Sequence, residues 1–340
     1  MAPAHPSSGP AAARIAAHAR MLKLRVGTRG SPLALWQARF FLERLSRLCP
    51  VLRDMEAFEE LAIRTTGDAT QAAGTRLADL GGKGLFAKEI HEALLDRRVD
   101  FAVHSLKDLE TELPPGIVLA CTLAREDARD ALVLPGLPGV SAPPSPGGDP
   151  LDCLPQGALV GTSSLRRQAQ LAHARPDLRF AIIRGNVAAR IARVRQGDFA
   201  ATVLALAGLK RVGLAGEAGR VLDPEIMLPA ACQGIVGITV RADDFELRTM
   251  LAAIEDADSH VVSQAERALL AALDGSCRTP IGGYARLLDD GSLLLTGLVA
   301  RADGSFLLRR SLAGARSDAA RLGAELGASL RADAPRDIFS

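Results

Sequence analysis

The chain has 340 residues, of which 48% are hydrophobic and 24% charged, a size and balance typical of a soluble globular protein with about two or three domains. The formal net charge of only +2 gives no electrostatic reason to expect a nucleic-acid partner, and no apolar run reaches the length of about 18 residues that spans a membrane. The five cysteines are widely spaced and form no zinc pattern, so we expect no metal and a reduced, cytosolic compartment.

The first part of the chain alternates between the patterns of strands and helices. Residues 1–21 are rich in alanine and proline and have no acidic residue, which predicts a disordered extension. Residues 22–45 then predict a strand, a tight turn and a helix with Ser31 as its N-cap. An apolar stripe over residues 86–94 predicts an amphipathic helix, and the strand after it ends at His104-Ser105. This order predicts a parallel or mixed sheet.

Composition and pattern divide the remainder of the chain. Proline and glycine dominate residues 135–150 and predict a loop or linker, after which the alternation resumes. We therefore predict one α/β domain over residues 22–128 and 235–252, with a strand that returns from a second α/β domain over residues 129–234. Residues 253–340 predict a small α+β domain, because a long helix is followed by three strands joined by Asp-Gly turns and by a closing helix.

Arginine supplies most of the 41 basic residues. A GC-rich genome explains most of this excess, and recognition of carboxylate or phosphate is the functional alternative. Several basic residues fall at strand ends or in the first turn of the next helix: Arg29, Arg166, Arg167, Arg184, Arg190, Lys210 and Arg211. Ser163 or Ser164 caps one of these helices and Asn186 another. Because ligands bind at strand ends in open α/β sheets, the arrangement favours an anion site over a solvated helix face.

The segment "VHSLKD" places polar residues at the end of an apolar strand. A Ser-His-Asp hydrolase would need a nucleophile elbow, which is absent, and one histidine is too few for a metal site. Asp108 is then either a carboxylate for acid–base work and cation stabilisation or merely the cap of a turn, and these residues do not decide between the two. In "DGSCRTPIG", Arg278 beside Cys277 favours a thiolate, although a small buried residue is the commoner fate of a free cysteine. We interpret Cys232 as structural.

Eight segments in order over residues 22–285 resemble the porphobilinogen deaminase, or hydroxymethylbilane synthase, family: "GTRGSPLALWQ", "GGKGLFAKEI", "DFAVHSLKDL", "GTSSLRRQAQL", "RGNVAAR", "LALAGLKRVGL", "LPAACQGIVGI" and "GSCRTPIGGYA". The resemblance implies two α/β domains like those of periplasmic binding proteins around a cleft, and a C-terminal α+β domain with a three-stranded antiparallel sheet. It implies a monomeric transferase of heme and tetrapyrrole biosynthesis. Four porphobilinogen molecules would be joined head to tail with release of ammonia, giving linear hydroxymethylbilane.

The same resemblance assigns roles to residues. It implies a dipyrromethane cofactor held by a thioether to Cys277, with Asp108 as the catalytic carboxylate. Gly82 and Gly84 would belong to a lid, and Phe86 could stack on a pyrrole. The residues implied to bind cofactor and substrate carboxylates are Arg29, Ser31, Lys83, Ser105, Lys107, Thr162, Ser163, Ser164, Arg166, Arg167, Arg184, Gly185, Asn186, Arg190, Arg211 and Gln233.

Two residues depart from the family pattern, and two rival functions remain. Glu110 stands where proline is common and would raise the pKa of Asp108 if both faced the cleft. Asp79 stands where some relatives have a basic residue.

A non-catalytic two-lobed anion receptor would explain the arginines but would need neither Cys277 nor Asp108. An inactive family member would be expected to have lost some of these residues.

Overall fold

The structure is a computed structural model that describes residues 23–48, 50, 52, 57–68, 84, 86–136, 149–274 and 279–339. Some of the sequence-based expectations lie outside these residues and stay predictions. They concern the extension 1–21, most of the loop 135–150, and the residues Asp79, Gly82, Lys83, Cys277 and Arg278.

The first sheet is mixed, as the sequence predicted. Its strands are β1 (Leu24–Arg29), β2 (Phe58–Ile63), β3 (Phe101–Ser105), β4 (Ile117–Thr122) and β10 (Val236–Arg241), in the spatial order β2-β1-β3-β10-β4. β1 runs parallel to β2 and β3, whereas β10 runs antiparallel to β3 and β4. The prediction that a late strand returns to the first sheet is therefore confirmed.

Helices cover this sheet through apolar faces. The helices are α1 (Pro32–Leu48) and α2 (Lys88–Leu95), and both pack on β1 and β3. Phe41 and Leu45 of α1 are fully buried against Phe101 and Ile238. The Ser31 hydroxyl accepts a hydrogen bond of 3.3 Å from the Ala34 amide, which confirms the predicted start of the first helix.

The second sheet repeats the plan of the first. Its strands are β5 (Asp130–Val133), β6 (Leu159–Gly161), β7 (Arg179–Ala181), β8 (Ala201–Ala205) and β9 (Arg220–Leu222), in the order β7-β6-β8-β5-β9. Its helices are α3 (Leu165–Ala174), α4 (Val187–Arg195) and α5 (Leu206–Arg211). β6 is parallel to β7 and β8, and β5 is antiparallel to β8 and β9. The strand that is antiparallel to both of its neighbours is β10 in the first sheet and β5 in the second. Each is the first strand that the chain forms after it crosses over from the other sheet.

Two crossovers, residues 123–129 and 223–235, connect the sheets and lie against each other. The Leu123 amide donates to the Val236 carbonyl at 3.0 Å, and the Glu126 amide donates to the Gly234 carbonyl at 3.1 Å. Gly234 has a φ of +92°, and a Cβ there would overlap the backbone of Glu126. Only glycine therefore allows the crossovers to approach this closely.

The last part of the chain forms an antiparallel sheet covered by helices. α6 (Phe245–Ala252) still packs on the first sheet, and α7 (Ala257–Ala272) follows it. The strands β11 (Ile281–Leu287), β12 (Leu293–Ala300) and β13 (Leu307–Gly314) pair in that order, and α8 (Ala319–Asp333) packs against α7. The predicted fold class, with two mixed α/β sheets and a three-stranded antiparallel sheet, is confirmed.

A buried carboxylate attaches this last unit to the crossovers. Glu266 of α7 is fully buried and accepts hydrogen bonds of 2.6 Å from Arg125 and from the Ala285 amide. The amide of Cys232 donates to the same carboxylate. One side chain thus holds both crossovers and β11.

Candidate active site

The polar side chains of "VHSLKD" point in different directions. His104 lies inside the sheet, with its Nε2 at 2.9 Å from the Thr239 hydroxyl. The Ser105 hydroxyl exchanges hydrogen bonds of 2.9 and 3.0 Å with the Gln37 amide group. Asp108 ends the short 3-10 turn Leu106–Asp108 and is exposed. These residues therefore form no catalytic triad, and Asp108 is the exposed carboxylate among those that line a cavity.

That cavity lies at the carboxyl ends of β1 and β3. Asp108 and Ser105 line it together with Arg29, Ser31 and Phe86. The Arg29 guanidinium lies 4.0 Å from the centroid of the Phe86 ring, within the range of a cation–π interaction. Five of the predicted residues thus lie around one cavity, whereas Lys107 and Gly84 do not line it.

Asp68 also contacts this group, and the sequence did not single it out. Its Oδ1 accepts a hydrogen bond of 2.5 Å from Nη2 of Arg29, and its Oδ2 accepts one of 2.8 Å from the Thr65 hydroxyl. Burial would raise the pKa of Asp68, but Arg29 and Thr65 together lower it below its ordinary value.

A fully buried carboxylate organises the cations of the second sheet. Asp130 accepts hydrogen bonds of 2.8 Å from both Arg166 and Arg167 and one of 2.9 Å from the Gln233 side chain. Burial would raise the pKa of Asp130, but the two guanidinium groups hold it well below the usual range. The side-chain oxygen Oε1 of Gln233 in turn accepts a hydrogen bond of 3.2 Å from Nζ of Lys107. This chain of contacts connects the second sheet with the turn that carries Asp108.

Lys107 and Arg190 are half-buried cations that interact electrostatically with Asp108. Burial lowers the pKa of Lys107 to about 8, an effect that Asp108 opposes and Arg167 increases. Burial, together with the charges of Arg167 and Arg184, lowers the pKa of Arg190 to about 10, and Asp108 again opposes this shift. The Asp108 carboxylate is therefore within electrostatic reach of cations from both sheets.

Several predicted binding residues shape the loops in this structure. Ser164 caps α3 by accepting from the Arg167 amide at 3.4 Å, and Asn186 caps α4 by accepting from the Ala189 amide at 2.9 Å. The Ser163 hydroxyl donates to the Ile183 carbonyl, and Thr162 accepts from the Ser164 amide. Gly185 has a φ of +105°, and its carbonyl accepts from Arg190 Nε at 2.8 Å.

Two predicted cations are engaged within the protein. Besides Asp130, Arg166 contacts the Leu228 carbonyl at 2.5 Å. Arg211 donates to the Gly234 carbonyl at 2.5 Å and lies 5.8 Å from the Trp36 ring, so it sits beside the crossovers. Both side chains are almost completely buried. Their predicted contact with ligand carboxylates stays a prediction, and the geometry favours a supporting role.

Asp130 is the main functional residue that the sequence reasoning missed. An aspartate directly before the apolar run "ALVL" was a visible signal, since a charged residue that opens a buried strand needs a partner. Its partners could not be identified, because they lie 36, 37 and 103 residues away along the chain.

The residues present fit a polyanionic cofactor. Lys107 and Arg190 are half-buried cations with lowered pKa values, and one carboxylate is shared between Arg166 and Arg167. Nε of Arg167 is also buried without a hydrogen-bond partner among the described residues. Negative groups entering the cleft would therefore satisfy a surplus of positive charge.

Fold and site together define a protein of two mixed α/β sheets and a small antiparallel sheet, with several cations around the exposed carboxylate of Asp108. The family model described as "Porphobilinogen deaminase, dipyromethane cofactor binding domain" matches residues 24–249, and the model of the porphobilinogen deaminase C-terminal domain matches residues 260–332. The chain belongs to the porphobilinogen deaminase family. This membership confirms the expected activity, the condensation of porphobilinogen in tetrapyrrole biosynthesis by a transferase with a dipyrromethane cofactor. The rival function of a non-catalytic receptor is wrong.

Similar proteins cover nearly the whole chain. A porphobilinogen deaminase of Sorangium cellulosum is 49% identical over 313 residues, covering 91% of this chain and 98% of that protein. One of Paracoccus denitrificans is 46% identical over 316 residues, covering 93% and 96%. Among solved structures, a VFT2 domain of Bordetella pertussis BvgS is similar at 15% identity with a TM-score of 0.41, covering 77% of this chain and all of that one, 100%. No helix in the described ranges is long and apolar enough to cross a membrane.

Proposed function

We propose that Asp108 is the catalytic carboxylate of this porphobilinogen deaminase and that Cys277 carries its dipyrromethane cofactor. The observation that supports the first assignment is the position of Asp108. It is exposed at the end of β3, lines the cavity with Arg29 and Phe86, and acts electrostatically on Lys107 and Arg190 from opposite sheets. The second assignment follows from the family resemblance, because Cys277 lies outside the described residues.

The cations would bind and orient the substrate through its acid groups. Porphobilinogen carries an acetate and a propionate, and guanidinium groups bind such carboxylates with two parallel hydrogen bonds. Arg29 lines the cavity, and the half-buried Lys107 and Arg190 interact with Asp108, so these three would receive the carboxylates. Arg167 would support them, because it is held by Asp130 and the Val203 carbonyl. We include the other predicted contacts, among them Lys83 and Arg184, in this proposal.

Asp108 would act on the positive charge that develops when ammonia leaves the substrate. Its oxygens can accept a hydrogen bond from the pyrrole N–H, which stabilises the cation. They can also take up the proton that is released when the new bond forms. The dipyrromethane, when bound, supplies the pyrrole end to which new units are added. The Asp108 side chain is exposed, so its oxygens are available for this task.

The remaining expectations belong to the same proposal. Gly82, Lys83 and Gly84 would form a lid, and the crossovers around Gln233 would act as a hinge as the product lengthens. We also propose a monomer in a reduced, cytosolic compartment. The described cysteines Cys121, Cys153 and Cys232 are free thiols, which supports the choice of compartment.

Intact mass tests the cofactor assignment. We expect protein purified from cells that make tetrapyrroles to be heavier than the bare chain by two linked pyrrole units. Cys277→Ser should have the bare mass, whereas the control Cys153→Ser should keep the added mass, because Cys153 lies away from the cleft beside the Pro150 carbonyl. A bare mass in the parent, or added mass that survives in Cys277→Ser, would contradict the assignment.

Steady-state turnover tests the role of Asp108. Asp108→Asn keeps the shape of the side chain but removes its charge, so we expect a loss of porphobilinogen consumption of at least about 100-fold, the scale of a lost electrostatic stabiliser. Cofactor mass and melting temperature should stay near those of the parent. The exposed Asp152 provides a control, since Asp152→Asn should turn over normally. Porphobilinogen consumption by Asp108→Asn near the parental rate would contradict the proposed role of Asp108.

A further inference from the structure

Glu110 forms a buried contact behind the catalytic turn. Its Oε1 lies 3.2 Å from Nδ1 of His91 on α2, and the two side chains are only 11% and 3% exposed. Glu110 follows Asp108 by two residues but turns away from the cavity that Asp108 lines. The condition under which Glu110 would raise the pKa of Asp108, that both face the cleft, is therefore not met.

The surroundings favour a charged Glu110. Burial alone would raise its pKa, but His91 and, more weakly, His104 lower it below the ordinary value. The centroid of the His104 ring lies 5.9 Å from that of His91 with the two rings tilted by 54°. Burial lowers the pKa of His104 to about 3, so it stays neutral. Oε2 of Glu110 and both ring nitrogens of His91 are buried without an aligned hydrogen bond to a described residue, so the 3.2 Å approach of the pair is a close polar contact. His91 is thus the main side chain that compensates this carboxylate.

The same carboxylate lies against the backbone where α2 begins. A Cβ added to Gly84 would lie 2.9 Å from Oε1 of Glu110, so glycine leaves the space that the carboxylate fills. The Gly84 carbonyl accepts from the Ala87 amide at 2.9 Å and the Lys88 amide at 3.0 Å, forming the first turn. Phe86 lies in this turn and lines the cavity opposite Asp108.

A helix of the last unit holds the other side of Glu110. Nη2 of Arg267 on α7 donates to the Glu110 carbonyl at 2.8 Å and to the Thr111 carbonyl at 2.9 Å. Leu109, between Asp108 and Glu110, is buried in the core of that unit. The backbone of Glu110 is therefore anchored, and its side chain can transmit this position to α2.

We propose that His91 and Glu110 are a positioning pair that fixes Phe86 relative to Asp108 from behind the cavity. The pair joins two segments that carry cavity residues. Phe86 lies two positions after Gly84, which Glu110 contacts, and Asp108 lies two positions before Glu110. Removing one partner leaves a buried group uncompensated, so the segments shift until the remaining group finds water or another partner. The inference rests on the proposed function, because it assumes that Asp108 performs the chemistry.

Single substitutions test the pair. Glu110→Gln and His91→Leu should lower kcat for porphobilinogen about tenfold, since displacement of a catalytic group by about 1 Å costs up to about 100-fold. KM should change less than kcat, because none of the carboxylate-binding cations is replaced. His91→Asn should keep most of kcat, since its side-chain amide can place a polar donor near the position of Nδ1. The exposed Glu112, two residues further on, provides the matched control Glu112→Gln with parental kinetics.

A double variant separates positioning from folding. His91→Leu/Glu110→Leu leaves no buried charge unpaired, so we expect it to fold and to melt near the parent, as apolar replacements of buried pairs commonly do. Its kcat should nevertheless remain about tenfold low, because leucines supply no directed contact. Parental kcat in this double variant, or equal kcat in His91→Leu and His91→Asn, would overturn the proposal that His91 and Glu110 position the cavity residues.

Asp108→Asn measured in parallel distinguishes two kinds of failure. A slow Asp108→Asn enzyme with a fast Glu110→Gln enzyme overturns only the positioning pair. A fast Asp108→Asn enzyme overturns the proposed function itself and the basis of the pair with it.

Discussion

Replacing Asp130 with asparagine tests the centre of the cation network. The Asp130 side chain is 0% exposed and is shared by Arg166, Arg167 and Gln233. Asparagine keeps the shape and one acceptor oxygen but removes the negative charge. Two guanidinium groups would then remain buried next to each other without a counter-charge.

The structure sets the size of the expected effect. Removing one partner of a buried ion pair costs about 3–5 kcal/mol, and Asp130 compensates two cations, so we take about 4 kcal/mol. At about 2–4 °C per kcal/mol, the melting temperature should fall by about 8–16 °C. Because the folded-state pKa of Asp130 is depressed, its contribution is present above the unfolded carboxyl pKa and is lost only as pH falls through the folded value. The difference should therefore be constant between about pH 5 and 8.

Thermal unfolding and kinetics measure this effect together. We expect Asp130→Asn, assayed well below its melting temperature, to lose at least about tenfold in kcat/KM, since Arg167 and the Gln233–Lys107 contact lose their anchor. The control is Asp198→Asn, which breaks an exposed pair with Arg193 whose partners are each 43% exposed; its melting temperature should change by less than about 4 °C. If Asp130→Asn melted within about 2 °C of the parent, the reasoning would be refuted, because a buried charge would have been removed without a penalty.

Two further predictions concern the cleft and the crossovers. Because burial lowers the pKa of Lys107 to about 8, KM for porphobilinogen should rise above that pH as the ammonium loses its proton, and Lys107→Arg should shift the rise to higher pH. A pH profile of KM that is unchanged in Lys107→Arg would contradict this. Gly234→Ala should lower the melting temperature strongly, since its Cβ would overlap Glu126, whereas the control Gly216→Ala meets no atom within 4 Å. Similar melting of the two variants would contradict a close crossover.

Local chemistry explains what the sequence predicted well. The caps at Ser164 and Asn186 depend on a hydrogen bond to an amide only three residues away, so the pattern of neighbouring residues suffices. Strand ends that carry Arg29 or Lys107 were equally visible, because an apolar run stops there. The succession of two α/β units and one α+β unit along the chain followed from the alternation of strands and helices and from the family resemblance.

Long-range pairing explains what the sequence could not predict. Arg166 and Arg167 were both expected to bind ligand, yet Asp130 engages both and lies 36 and 37 residues away. The orientation of Glu110 was left open for the same reason. A side chain just after a turn has no periodicity to place it, and the backbone contact that anchors Glu110 comes from Arg267, at a separation of 157 residues.

The distribution of charge explains how the site can orient its cationic side chains without neutralising all of them with internal carboxylates. Asp130 gives one oxygen to Arg166 and the other to Arg167, so a single buried carboxylate orients two guanidinium groups and leaves an excess of one positive charge. Lys107 is oriented by the neutral Gln233 and by no carboxylate in hydrogen-bond contact among the described residues. An arriving carboxylate therefore finds donors already in place. It meets no internal anion that must first be displaced from Lys107, and its binding should raise the lowered pKa of that lysine. Electrostatic preorganisation of this kind is possible only because the counter-charge lies deep in the second sheet, away from the exposed Asp108.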